Sequence, residues 1–157
     1  TPSTNSYRRI KPHYWSGAFR CWGVDNREAA IRVITDPETN SYKQFEFKPS
    51  DATANPYLAM GAIIAAGLDG IKQKMEIPPP VNVDPGNLSE EERKSAGIDK
   101  LPANLGSALE YLTANRTLLD ALGAELSGAY LAVRRSEWEN MSGYELADEV
   151  ELLMEKY

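Results

Sequence analysis

Gln44-Phe45-Glu46-Phe47-Lys48-Pro49-Ser50-Asp51 is the stretch on which the reading of this chain turns. Up to Lys48, polar and aromatic residues alternate. In a strand, successive side chains point to opposite faces, so Gln44, Glu46 and Lys48 share one face and Phe45 and Phe47 the other. Working upstream, residues 29–34 suit a second strand, and Asp36-Pro37-Glu38-Thr39-Asn40 is dense in turn formers, which predicts a hairpin with residues 44–48. Residues 19–22 suit a third strand. Working downstream, Asn55-Pro56 supplies an N-cap followed by proline at the first helical position, and the helix is expected to run to about Met75. It is apolar nearly all round, with Gly61, Gly67 and Gly70 permitting close backbone approach, so burial is expected.

The chain therefore divides near Asp51, with strands before it and helices after it. Pro78-Pro79-Pro80 ends the first helix, and Ser89-Glu90-Glu91-Glu92 opens a short, charged, solvated one. Leu105, Ala108, Leu109 and Leu112 repeat at helical spacing; Asn115 caps a further helix that Gly123 ends; residues 130–138 continue the pattern. Ser142-Gly143-Tyr144-Glu145 has the form of a capping box ahead of Leu146, Val150 and Leu153. The expected class is α+β: a few antiparallel strands packed on a buried helix and a C-terminal helical bundle, with residues 1–50 as the strand and loop part and 51–157 as the helical part. Three short strands make a poor sheet with unpaired edges, so further strands are expected from a portion upstream of Thr1.

At 157 residues the length suits one domain or a large piece of a bigger one, and the formal net charge of −6 argues against non-specific nucleic-acid binding. The single Cys21 leaves no intrachain disulfide and fits a reducing cytoplasm. No apolar run is long enough and suitably flanked for a signal peptide or membrane span. The start at Thr1, without an initiator methionine, points to a fragment.

The residues alone offer no complete catalytic set. His13 is the single histidine, zinc spacing is absent, and no Walker-type phosphate loop occurs. What remains is a group of cations near the strands, Arg8, Arg9, Arg27, Arg32 and Lys48, with Glu46 among them. Guanidinium forks suit phosphate and carboxylate, although scattered surface charge accounts for such a group as well.

The order of the motifs adds to this. Asn5-Ser6-Tyr7-Arg8-Arg9-Ile10-Lys11-Pro12, then Asp25-Asn26-Arg27-Glu28-Ala29-Ala30-Ile31-Arg32-Val33, then Phe45-Glu46-Phe47-Lys48-Pro49-Ser50-Asp51-Ala52-Thr53-Ala54-Asn55-Pro56-Tyr57-Leu58-Ala59 resemble the C-terminal part of the glutamine synthetase catalytic domain. Ala65-Ala66-Gly67-Leu68-Asp69-Gly70-Ile71 and residues 101–109 agree with it, so the resemblance covers essentially the whole chain. It implies a cytoplasmic homo-oligomer that joins glutamate to ammonia or another amine through γ-glutamyl phosphate. ATP would be co-substrate and Mg2+ or Mn2+ the metal, and the upstream part of the same protein would be needed for activity. It further implies that Arg9 binds glutamate and assists catalysis, that Lys48 takes the place of a second glutamate-binding arginine, that Arg27 and Arg32 face ATP, and that Glu46 is a metal ligand. The face carrying Gln44, Glu46 and Lys48 would line the funnel, with Phe45 and Phe47 packed on the helices.

The pattern breaks in three places. The family's Arg-x-Glu-x-Arg strand reads Gln44-x-Glu46-x-Lys48, which loses one charge and turns a fork into a point charge. Trp15, within His13-Tyr14-Trp15-Ser16-Gly17, stands at the place of the flap glutamate of ammonia-using members; an indole accepts no proton, although its ring face attracts cations weakly. Asn87-Leu88 is followed by Ser89 rather than a tyrosine for adenylylation. Two functional readings follow: a glutamate–amine ligase, and a non-catalytic structural or nitrogen-sensing protein on the same scaffold.

Overall fold

Alternation at residues 42–47 does become a strand. The computed structural model describes residues 1–155 and forms two compact units. One comprises Arg8–Ser50 and Pro78–Leu101; the other comprises Thr1–Tyr7, Asp51–Ile77 and the chain from Pro102 onward.

The first unit holds β1 (Phe19–Val24), β2 (Ala29–Thr35), β3 (Tyr42–Phe47), the short helix α2 (Glu90–Ser95) and β4 (Asp99–Lys100). The sheet order is β3-β2-β1-β4. As the turn residues predict, β2 and β3 pair antiparallel, with Ile31 opposite Phe47, Arg32 opposite Glu46, Val33 opposite Phe45 and Ile34 opposite Gln44. The Asp36 carboxylate closes the hairpin by accepting the backbone N–H groups of Glu38 (2.8 Å) and Thr39 (3.3 Å), and Asn40 takes a left-handed φ of 54°. Those two N–H groups, chiefly, hold the Asp36 carboxyl below the usual carboxylate range.

Two features depart from expectation. The strands are not all antiparallel: β1 runs parallel to β2, with Trp22 beside Ile31 and Val24 beside Val33. Parallel neighbours ordinarily need a crossover of about a dozen residues. Here residues 25–28 suffice, because Asp25 turns at φ 52° and the Asn26 amide donates to the carbonyls of Val81 (2.7 Å) and Val83 (3.0 Å). Gly23 makes room for this loop, since a Cβ there would come within 2.1 Å of Val81 O and 2.9 Å of Asn26 Cβ. The second departure is β4, which covers the β1 edge through antiparallel pairing of Phe19 with Lys100 and Arg20 with Asp99. The unit's core gathers Ala18, Phe19 and Ile98 with Ile10, Cys21, Val81 and Leu88 around them. Burial of Phe19, 1% exposed, is worth about 1.5–3 kcal/mol. Burial also pushes the Cys21 thiol up, against a hydrogen bond with the backbone of Ala30, and leaves it a packing residue.

The second unit is helical: α1 (Pro56–Gln73), α3 (Leu105–Ala114), α4 (Arg116–Leu122), α5 (Ala124–Met141) and α6 (Leu146–Leu153). Asn55 caps α1 by accepting the N–H groups of Tyr57 (3.0 Å) and Leu58 (3.2 Å), and Lys74 ends it at φ 51°. Asn104 and Asn115 cap α3 and α4, and Gly123 closes α4 at φ 79°. Leu105, Leu109 and Met141 form the buried apolar set. Gly106 seats the Trp138 indole, which a Cβ there would approach to 2.6 Å.

Two further corrections belong here. Helix α1 is not buried: none of its residues is, and Met60, Ile64, Leu68 and Ile71 are 54–76% exposed. Within its unit it packs mainly on α4, which covers only part of a helix that is apolar all round. The capping box before α6 is displaced. Ser142 closes α5, while Glu145 is the N-cap of α6 and its N–H donates to the Asp148 carboxylate at 3.1 Å. Among the described residues, no helix is long and apolar enough to cross a membrane.

Candidate active-site face

The β2–β3 register sets the site. Directly opposite residues of an antiparallel pair share a face, so Arg32 and Glu46 meet as neighbours, with Nη1–Oε2 at 3.3 Å. The other arm of Arg32 reaches Asp25 Oδ1 at 3.5 Å. Lys48, two residues beyond Glu46, brings Nζ to 4.0 Å from the same Glu46 oxygen, while its backbone N–H donates to Ala30 O at 3.0 Å. Burial deepens along this line: Gln44 is exposed, the Glu46 side chain is 42% exposed and that of Lys48 is 15% exposed. The result is one carboxylate between two cations on one strand face.

Arg9 supports the end of this line. Its Nη2 donates to the carbonyls of Lys48 (3.1 Å), Pro49 (2.5 Å) and Ser50 (2.8 Å), which pins the backbone just after the polar face. The Nε atoms of Arg9 and Arg32 are buried without a hydrogen-bond partner. Orphaned buried donors are costly and mark places where a further acceptor fits.

Of the residues singled out in the sequence, Arg32, Glu46 and Lys48 are brought together, and Arg9 is placed beside them through the backbone. Arg27 goes elsewhere. It is exposed, and its guanidinium lies 5.3 Å from the centre of the Trp15 ring. Phe45 and Phe47 are not buried as expected: they are 54% and 43% exposed, alongside Ile31 at 37%. Within the sheet unit β4 only extends the sheet at its far edge, along β1, and these side chains of β2 and β3 stay exposed. As for a metal, no group of three or more His, Cys, Asp or Glu side chains among the described residues is placed to hold an ion. Glu46 offers one carboxylate, and magnesium usually takes one or two together with substrate phosphates and water.

Several polar contacts of this unit were not read from the sequence. Asp25 pairs with Arg32 and also accepts the Thr35 hydroxyl at 2.9 Å. Glu28, 6% exposed, accepts backbone N–H groups from the Trp15 loop. His13 Nδ1 lies 3.0 Å from Asp84 Oδ2. The one local signal was Asn26, whose side-chain oxygen accepts the N–H of Glu28 at 2.9 Å in the manner of an Asx turn.

Comparison with known proteins places these features in context. The family profile described as "Glutamine synthetase, catalytic domain" matches residues 1–153. A glutamine synthetase of Methanocaldococcus jannaschii is 42% identical over 139 residues, covering 88% of this chain and 30% of that protein. A gamma-glutamylpolyamine synthetase of Streptomyces coelicolor is 36% identical over 144 residues, covering 90% of this chain and 31% of that protein. A crystal structure titled as a novel glutamine synthase homolog superposes with a TM-score of 0.76 at 35% identity, over 99% of this chain and 34% of its own. The chain thus spans about a third of the length of the curated relatives it matches.

Proposed function

This chain belongs to the glutamine synthetase catalytic-domain family, and from that premise we propose that the full-length protein is an ATP-dependent ligase joining the γ-carboxylate of glutamate to an amine. The observation that carries the reading is the Arg32–Glu46–Lys48 line with Arg9 fastened at its end. Phosphoryl transfer needs positioned positive charge more than covalent help, and this face concentrates cations on an otherwise acidic chain.

In this proposal a glutamate carboxylate oxygen attacks the γ-phosphorus of ATP and ADP leaves. The amine nitrogen then attacks the acyl carbon, phosphate departs with the former carboxylate oxygen, and the nitrogen loses a proton. Lys48 and Arg9, through its unpartnered Nε, hold glutamate, while Arg32 faces the nucleotide; Arg27, stacked on Trp15, belongs with the loop of residues 11–17 instead. Glu46 would offer one carboxylate oxygen to Mg2+ or Mn2+; the ion, when bound, would supply charge neutralisation at the phosphates. Arg9 has a second duty, since its contacts to the carbonyls of residues 48–50 fix where Lys48 points. The protein acts in the cytoplasm as a homo-oligomer, and this chain without its upstream part is inactive.

The acceptor is an amine with an apolar body rather than ammonium. Trp15, 63% exposed at the flap position, offers a ring face and no proton acceptor. A relative that carries gamma-glutamylpolyamine synthetase as its name supports this choice. The test is ADP release by the full-length protein with glutamate and a panel running from ammonia through alkyl, aryl and polyamines. Turnover is expected with at least one larger amine in preference to ammonia, and a panel with no turnover above background refutes the ligase.

A second reading, a non-catalytic binding protein on the same scaffold, is favoured by Trp15 alone. It predicts ATP or glutamate binding without ADP release.

A further inference from the structure

Residues 11–17 hold three backbone positions in the left-handed region: His13 at φ 66°, Trp15 at φ 53° and Gly17 at φ 70°. For residues other than glycine that conformation is unfavourable, and it persists only where the surroundings impose it. What imposes it here is Glu28. Its carboxylate is buried at 6% exposure, with Oε2 accepting the N–H of His13 at 3.2 Å and Oε1 accepting the N–H of Trp15 at 3.0 Å. Left-handed residues turn neighbouring N–H groups toward a common point, forming a concave nest for an anion. The Glu28 carboxylate is that anion.

The clamp is anchored behind and extended in front. Behind, the N–H of Glu28 donates to Asn26 Oδ1 at 2.9 Å, and the Asn26 amide is tied to the carbonyls of Val81 and Val83. In front, the adjacent Arg27 places its guanidinium 5.3 Å from the Trp15 ring. Arg27 and Glu28 therefore grip Trp15 twice, by its ring and by its backbone. The loop is also seated on the sheet: Ser16 is buried and exchanges hydrogen bonds with the backbone of Lys11, and Gly17 presses against Ala30.

We propose that Glu28 is the positioning residue of the acceptor-amine wall: by clamping the left-handed backbone of His13 and Trp15, it holds the indole stacked on Arg27 as a preformed apolar face for the body of the incoming amine. This deepens the ligase reading above and rests on it. Glu28 touches neither substrate nor reacting atoms. It acts through Trp15, and it sets which amine is accepted rather than how fast phosphate is transferred.

The experiment uses the full-length protein and the amine that supports the fastest turnover in the panel, with KM and kcat measured separately for amine, glutamate and ATP. Glu28→Gln keeps the size and one accepting oxygen but sets an NH2 against one backbone donor; Glu28→Asp keeps the charge and shortens the reach. Glu28→Gln is expected to raise the amine KM about 10- to 100-fold, the scale of a misplaced positioning group. The KM values for ATP and glutamate are expected to stay within about twofold, because the loss falls on one substrate. Glu28→Asp is expected to fall between wild type and Glu28→Gln. If Glu28 acts through the indole, Trp15→Ala raises the amine KM by itself, and adding Glu28→Gln to it raises the KM no further. An amine KM indifferent to Glu28→Gln overturns the proposal, as does an equal rise in all three KM values, or a full Glu28→Gln effect in the Trp15→Ala background. A wild-type protein that turns over no amine in the panel overturns the ligase reading, and the acceptor wall falls with it.

Discussion

The polar face of β2–β3 and the loop of residues 11–17 lie in the same unit and are built on opposite principles. On the face, placement comes from strand register: Arg32 stands opposite Glu46 because the hairpin aligns them, and the ion pair at 3.3 Å follows. In the loop, placement comes from side chains distant in sequence, since Glu28 clamps His13 and Trp15 across 15 and 13 residues. The face is regular backbone carrying polar side chains. The loop is irregular backbone made tolerable by one buried carboxylate. Register preserves geometry through substitution, whereas a clamp concentrates it in a single residue, so the two regions should respond differently to mutation.

The largest effect should come from Glu46→Ala. It removes the only carboxylate between Arg32 and Lys48 and leaves the backbone ladder intact, so ADP release by the full-length protein should fall about 10²–10³-fold, as on loss of a preorganised charge, with the thermal transition little changed. A large loss of stability instead would mean that the face, like the loop, depends on one side chain. A smaller effect should come from Gly17→Ala in the loop. The φ of 70° disfavours any Cβ, which would also come within 2.7 Å of Ala30 Cα, backbone that cannot swing aside. A loss of about 1–3 kcal/mol is expected, read from denaturant midpoints. An unchanged midpoint would show that the loop is not seated as described.

The smallest effect concerns the hairpin turn that sets the face's register. The Asp36 carboxyl is held low, first by the Glu38 N–H and then by that of Thr39. A carboxyl lowered in the folded state contributes stability that is present above its unfolded value, about 4, and is lost as pH falls through the folded value. Acidification should therefore loosen the turn, starting near that range and finishing below it. Asp36→Asn should flatten this dependence by slightly weakening the turn at neutral pH, where the charged form's contribution is lost, and changing little at acid pH. Amide chemical shifts of Glu38 and Thr39 followed through an acid titration report it directly; shifts that move identically in both proteins would break the assignment.

The same contrast explains what could be read from the sequence. The hairpin, the Asn55-Pro56 start of α1, the Ser89 start of α2 and the Arg32, Glu46 and Lys48 cluster were legible, because periodicity, turn chemistry and caps are local and the matching motifs stood in order. Parallel pairing of β1 with β2 was not legible, since alternation is the same whichever way a neighbour runs. Nor was β4, where Asp99 and Lys100 have weak strand preference and are recruited by the exposed edge of β1. The exposure of α1 was missed because an apolar helix states what it needs to bury, not what lies against it. Glu28 was visible only as a charge beside Arg27. Its role depends on a loop more than ten residues away that folds back onto it.

The central claim is that this face serves transfer of phosphate to a glutamate carboxylate. The most direct test supplies the full-length protein with ATP, its amine and glutamate labelled with oxygen-18 in the side-chain carboxylate, and weighs the phosphate released. A γ-glutamyl phosphate intermediate hands one carboxylate oxygen to the departing phosphate, so each phosphate should carry a single heavy oxygen, and Glu46→Ala should slow its formation by the same factor of about 10²–10³. Phosphate released without label would mean that water, not glutamate, takes the phosphoryl group, and would contradict the account.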